Sequence, residues 1–249
     1  ERELDVEKQM QIIENLLQTG IRVLIVTPSG SREIASAIAK ANLADVPVIV
    51  VDTRVDPKAA ADNKLKIASF VGSDNYEGGR LAGEYMAKST GGKARVAILE
   101  GIPGHETGDS RFRGFREALQ QYPGMTIVAS QPANWERDLG FTVFQNMLQA
   151  HGDIDALFAC SDLMALGAVE AIAAAGRSGS ILVVGFDALD DARKMIDAGR
   201  MNASVAQSPR DMGRIAVESA ARLLRGDAVP VEQKVPIALV TKSGTTASH

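Results

Sequence analysis

Apolar and polar positions along this chain repeat one figure. A short unbroken run of Val, Ile and Leu ends on a polar residue, and a stretch with helical spacing follows. Five runs end this way: Val23–Val26 into Thr27, Pro28 and Ser29; Val48–Val51 into Asp52; Val96–Leu99 into Glu100 and Gly101; Leu157–Cys160 into Ser161 and Asp162; and Ile181–Phe186 into Asp187. Apolar runs without polar alternation are what strands covered on both faces look like. Open α/β sheets take ligands beyond the carboxyl ends of their strands. The acids and hydroxyls therefore stand where a small polar ligand would sit.

The pattern predicts an amphipathic helix over residues 6–19, with Met10, Ile13, Leu16 and Leu17 on one stripe and Gly20 ending it. Helices are expected over 32–44, 76–89, 111–121, 139–150, 163–175, 190–198 and 209–224, with additional strands over 66–71, 126–130 and 203–206. Ser73, Asp74 and Asn75 offer N-cap chemistry to the helix after them, and Asp162 reads as the N-cap of its own helix. This alternation predicts an α/β fold built on parallel sheets with right-handed crossovers. A doubly wound lobe usually opens with a strand, whereas this chain opens on a helix. We therefore expect an N-terminal βα(β) unit to be missing.

With 249 residues, 45% apolar and 23% charged, the chain can bury a real core as one large domain or two lobes. A net charge of −4 gives no long-range attraction to nucleic acid or anionic membrane. No apolar run reaches the ~18–20 residues of a membrane span. The single cysteine, Cys160, excludes an internal disulfide framework and reads as a buried structural thiol inside a strand.

Most catalytic motifs are absent. Gly78 and Gly83 have the separation of a phosphate loop, but Glu84 and Tyr85 follow in place of Gly-Lys-Ser/Thr. There is no G-x-G-x-x-G and no G-x-S-x-G. His105, His151 and His249 lack metal-ligand spacing, and His151 is expected to cap the end of a surface helix. No cofactor is called for. What remains is a set of groups suited to hydroxyls. Asp52, Asp162 and Asp187 each follow an apolar strand, although any of them could be a helix cap or loop acid. Arg111 and Arg113 follow the polar stretch 103–110, and one of them could make a two-pronged contact to a hydroxyl or carboxylate. Trp135, the sole tryptophan, sits in a polar stretch and suits stacking on a ligand face. Gln207, just before Pro209, suits a hinge or rim.

These residues, in this order, resemble the periplasmic sugar-binding proteins of the ribose-binding class, which feed ABC importers. The matching stretches are Val26-Thr27-Pro28-Ser29, Val46-Pro47-Val48-Ile49, residues 72–79, Ser130-Gln131-Pro132-Ala133, residues 162–168, Val184-Gly185-Phe186-Asp187 and Ala206-Gln207-Ser208-Pro209. The resemblance implies two Rossmann-like lobes joined by three crossing strands, with a monosaccharide or polyol bound between lobes that close around it. The first lobe would be residues 1–73 with 208–235, and the second 74–207 with 236–249. The family's first strand, which carries pocket residues, has no counterpart here.

By the same resemblance Asp52, Arg111, Trp135, Ser161, Asp187 and Gln207 would bind the ligand. Ribose-binding members have Arg where this chain has Thr53, with Arg54 one place later, and Asn where it has Ser161. The stretch 105–109 looks like a longer, more charged loop. These departures favour a monosaccharide other than ribose, or a polyol. The implied protein is a periplasmic monomer with no enzymatic activity, whose partners are its ligand and an ABC permease. A sugar-responsive effector domain of a transcription repressor shares the fold and much of the pocket. An α/β enzyme acting on sugars is the third reading, with Asp52 paired to Asp187 or Glu100, but no nucleophile, metal set or cofactor loop supports it.

Overall fold

A computed structural model describes residues 5–247, so His249 lies outside the described residues. The chain divides into two compact units, Glu1–Ser73 with Ser208–Val235, and Asp74–Gln207 with Pro236–His249.

In chain order the first unit begins with α1 (Val6–Gln18), β1 (Leu24–Val26), α2 (Ile34–Leu43), β2 (Val48–Val51), α3 (Pro57–Asp62) and β3 (Ser69–Ser73). The second unit contains α4 (Asn75–Ser89), β4 (Lys93–Glu100), α5 (Glu106–Gln120), β5 (Gly124–Pro132), α6 (Arg137–Ala150), β6 (Ala156–Ala159), α7 (Asp162–Ala174), β7 (Leu182–Asp187), α8 (Asp190–Asp197) and β8 (Ala203–Ala206). The chain returns to the first unit for α9 (Pro209–Leu224) and β9 (Glu232–Val235). It ends in the second with β10 (Ala238–Thr241) and β11 (Gly244–Ala247).

The first unit's sheet is parallel, in the order β1-β2-β3-β9. Strand β2 explains why its sequence does not alternate. Val48 and Val50 join a core with Ile13 of α1 and Ile34 and Ile38 of α2, while Ile49 and Val51 join Met212 and Ala216 of α9. Both faces are covered, so both registers of the strand must be apolar.

The second unit's sheet runs β11-β10-β8-β7-β6-β4-β5. Strands β8 to β5 are mutually parallel, and β10 and β11 add an antiparallel edge. That edge goes beyond the all-parallel sheets expected from the sequence. It comes from the last dozen residues, where the runs are too short and too polar to read as strands. Order reverses beside β4, which has β5 on one side and β6 on the other. The ends of β4, β6 and β7 therefore lie at the switch point where such sheets take ligands.

Several boundaries moved. Helix α5 begins at Glu106, so residues 106–109 form the first turn of a helix instead of the expected loop, with buried His105 at the N-cap position. Glu106 and Asp109 complement the exposed amides of that turn, which accounts for the charge that looked like a loop. Short α3 was not expected. Asp56 caps it by accepting from the Ala59 amide at 2.8 Å, and Pro57 supplies the first helical residue. His151 does stand at the C-cap of α6.

Candidate functional site

Arg111 organises the carboxyl-end side of the second unit's sheet, where β6 and β7 end. It lies on the second turn of α5 with 3% of its surface exposed. A buried guanidinium is costly unless its hydrogens are matched. Nε donates to Asn75 Oδ1 at 2.9 Å, and Nη1 donates to the Cys160 carbonyl at 2.7 Å. Nη1 also lies 3.4 Å from Asp187 Oδ1. The flat face stacks on Phe186 at 3.7 Å from the ring centre. Arg111 thus fastens together α4, the end of β6 and the end of β7. Arg113, the other arginine considered, is exposed and donates to Ser110 Oγ on its own helix at 2.8 Å.

Two glycines allow this approach. A methyl group at Gly79 would collide with the Arg111 carbonyl, and one at Gly114 would collide with the carbonyl of Tyr76. Helices α4 and α5 therefore touch backbone to backbone. Gly78 leaves room for the Phe186 ring, whose Cζ lies 2.5 Å from where a Cβ would be.

Asp187 and Gln207 meet directly. Gln207 Nε2 donates to Asp187 Oδ1 at 2.7 Å, while Gln207 Oε1 is enclosed and has no hydrogen-bond partner among the described residues. Asp187 is not a helix cap, because the N-cap of α8 is Leu189. Its backbone has φ 106°, and Ala188 follows at 51°. Non-glycine residues seldom take such angles, and where they do the surroundings must hold them.

Trp135 stands nearby, half-buried, with its ring 5.8 Å from the Arg111 guanidinium carbon. It too has a positive φ, 69°, after Asn134 at 51°. Its ring lies against Gly101, at the end of β4, and Gly108 on α5. A methyl group at 101 would collide with the ring, and one at 108 would come within 2.9 Å of it. His105 packs edge-on against it, with ring centres 5.8 Å apart and planes at 72°. The sequence placed Trp135 outside an apolar core run; the two glycines that seat it lie 27 and 34 positions upstream, beyond the reach of local pattern.

Two expectations at the end of β6 are corrected. Ser161, not Asp162, is the N-cap of α7: its Oγ accepts from the Met164 amide at 3.4 Å. The cap has extended backbone, which Ser161 adopts at φ −149°, whereas Asp162 is the first helical residue. Asp162 is fully buried, and its carboxyl takes hydrogen bonds from Ser204 and from the Leu189 amide. Burial first, and the neighbouring Asp187 charge second, push its pKa up to about 7. Cys160 is likewise enclosed, and burial pushes its thiol up to about 12.

In the first unit Asp52 follows β2 with φ 64°. Its amide donates to the Val71 carbonyl at 2.9 Å, and Thr53 donates to Val51 at 2.8 Å, closing a γ-type turn with strained φ. Asp52 is not a helix cap either; that place belongs to Asp56. Arg54, one position beyond the expected arginine, is engaged elsewhere. It donates to Glu232 at 2.7 Å and lies 3.7 Å over the Phe70 ring.

Of the expected site residues, Arg111 and Gln207 both meet Asp187, Trp135 stands beside Arg111, and Ser161 is next to the Cys160 carbonyl that Arg111 bonds. Asp52 belongs to the other unit. Asn75 and Phe186 were not singled out as site residues. Their signal was the adjacent Gly78-Gly79 pair within a helix, which marks a close approach. No cluster of metal-ligating side chains occurs among the described residues, and no helix there is long and apolar enough to cross a membrane.

The periplasmic binding protein domain model matches residues 1–228. The ribose import binding protein of Escherichia coli (strain K12) is 37% identical over 235 residues, 94% of this chain and 76% of that protein. Among solved structures, an ABC transporter periplasmic solute binding protein from Actinobacillus succinogenes 130z, with bound D-allose, superposes with a TM-score of 0.91 at 38% identity, covering 96% of this chain and 84% of that one. An ABC transporter solute binding protein from Bacillus halodurans C-125 with bound myo-inositol gives a TM-score of 0.90 at 28% identity, covering 96% and 81%.

Proposed function

The chain belongs to the periplasmic binding protein domain family, and from that membership we propose that it is the substrate-binding component of a sugar ABC importer. Its ligand is a monosaccharide or polyol. Buried Arg111 with half-buried Asp187 and Gln207, at the strand ends of the second unit, carries the reading. A carboxylate accepts from vicinal hydroxyls, Arg111 donates, and Gln207 Oε1 is an enclosed acceptor that a hydroxyl can satisfy. Trp135 covers the apolar C–H face of the ring. Ser161 lines the same strand-end region, with its hydroxyl committed to capping α7. Asp52, at the end of β2, is a further candidate hydroxyl acceptor.

The protein works outside the cytoplasm, in the periplasm, as a monomer that hands its ligand unchanged to a permease. Its relatives are solute-binding proteins, so bound sugar should be recovered intact after long incubation. The order of a ligand screen follows from those relatives: D-ribose, D-allose and myo-inositol first, then other pentoses, hexoses and polyols. A ligand at about 100 times its dissociation constant stabilises the fold by ~2.7 kcal/mol. A clear thermal shift with one sugar, abolished by Arg111→Ala and by Asp187→Ala, supports the proposal. Binding that survives both substitutions refutes this assignment of the site.

A further inference from the structure

The carboxylate of Asp187 can meet Arg111 and Gln207 only while its backbone stays in an unfavourable conformation. Positive φ at two successive non-glycine residues, Asp187 and Ala188, costs free energy that no local feature of either residue returns. The restraint comes from behind, from three other elements. Ser204 Oγ, on neighbouring β8, accepts from the Ala188 amide at 2.9 Å. The Leu189 amide donates to Asp162 Oδ2 at 2.8 Å, and Arg193 Nε on α8 donates to the Ala188 carbonyl at 2.9 Å. Asp162 and Ser204 are joined to each other, Ser204 Oγ donating to Asp162 Oδ1 at 2.7 Å. Both are fully buried.

Room for this arrangement is cut out of β7 itself. A methyl group at Gly185 would collide with Asp162 Oδ1. A buried carboxylate with no apparent ligand role would ordinarily be a liability. Here it occupies a space made by a glycine and spends its two oxygens on one turn.

We propose that Asp162 and Ser204 are positioning residues for ligand recognition: as a buried bracket they hold the left-handed turn Asp187–Ala188 and so aim Asp187 at its partners. The proposal rests on Asp187 being a ligand group, and it adds two fully buried residues that act through the turn behind it. Specificity for a hydroxyl pattern depends on fixing the acceptor, because an acceptor free to swing pairs with several patterns.

The test uses Ser204→Ala in the whole chain, with D-ribose and D-allose as calorimetric probes. Losing the hydroxyl removes the acceptor of the Ala188 amide and the donor to Asp162 together. Affinity should fall about tenfold, and amide hydrogen exchange at Ala188 and Leu189 should accelerate in the sugar-free protein. Adding Ala188→Gly, which lowers the cost of positive φ, should recover part of the affinity. A merely structural role would not give that recovery. Affinity within twofold of the parent overturns the proposal, as does unchanged exchange at the two amides, or a loss of affinity that Ala188→Gly leaves untouched. Asp187→Ala separates the two levels. If that variant binds both sugars like the parent, or if the parent binds neither, the ligand role of Asp187 fails, and the exchange data still judge the bracket.

Discussion

Asp162 makes an unusual prediction about pH. In the unfolded chain its carboxyl titrates near ~3.9; in the folded protein burial, and then the charge of Asp187, push it up to about 7. The Ser204 hydroxyl, the Leu189 amide and the Arg111 charge pull the other way without prevailing. Between these two values the native state binds a proton that the unfolded chain has released. Stability from this group is therefore full below about pH 4 and is lost as pH rises through about 7. A rise of about three pH units corresponds to roughly 4 kcal/mol at most.

Asp162→Asn copies the neutral acid. It cannot ionise, and its oxygen can still accept from the Leu189 amide, while Ser204, which donates to the carboxyl in the parent, turns to accept from the new amide. The difference in stability between parent and variant isolates Asp162 from every other titrating group. Trp135, the only tryptophan, lies in the same unit and reports its unfolding by fluorescence. Urea titrations from about pH 4.5 to about pH 8.5 should show the parent losing ground to Asp162→Asn by a few kcal/mol, most of it before about pH 7. Parallel curves would refute the reasoning. A parent that gains on the variant with rising pH would show that the hydrogen bonds and Arg111 outweigh burial.

Gly79→Ala should destabilise the second unit by about 2–4 kcal/mol and weaken sugar binding, since the new methyl group strikes the carbonyl of Arg111; chemical denaturation with calorimetry checks both, and a neutral result would contradict the helix contact. Trp135→Ala should weaken sugar binding about tenfold and, because the ring also packs against Gly101, Gly108 and His105, lower the melting temperature of the sugar-free protein. Equal affinity in a titration would remove the tryptophan from the site. Cys160, enclosed and with its thiol pushed up to about 12, should resist a maleimide at neutral pH in the native protein and react in urea, as read by mass. Arg54→Ala should lower stability by about 1 kcal/mol through its lost contacts with Glu232 and Phe70, with sugar affinity altered less than by Arg111→Ala.

The α/β alternation was legible because fully covered strands leave an unmistakable trace. Val48–Val51 and Ala203–Ala206 occupy the expected residues, and α9 runs over 209–224 as its spacing predicts. Two kinds of feature were not legible. Glu106–Asp109 read as a loop because the acids and glycine that suit a helix start also suit a loop, and only the extended backbone of His105 decides between them. Asp162 read as a cap because the residue type fits. That Ser161 takes the cap, and that the carboxyl turns inward to Ser204, depends on a strand 42 positions away. Candidate ligand groups could be nominated one by one from strand ends, whereas the partners that orient them come from other elements: only the Gly78-Gly79 pair points toward Asn75 and Phe186, and Ser204 leaves no local mark.

The helix pairs of the second unit have a consequence for how such a protein can change. Gly79, Gly83 and Gly114 bring α4 and α5 into main-chain contact, and Gly140 and Gly167 do the same for α6 and α7. Side chains can adapt by changing rotamer; peptide groups in van der Waals contact cannot. Diversification toward a new sugar is therefore channelled. Exchange of side chains at the strand tips leaves these helix contacts in place, whereas a route that requires one helix to slide past its partner meets main chain against main chain.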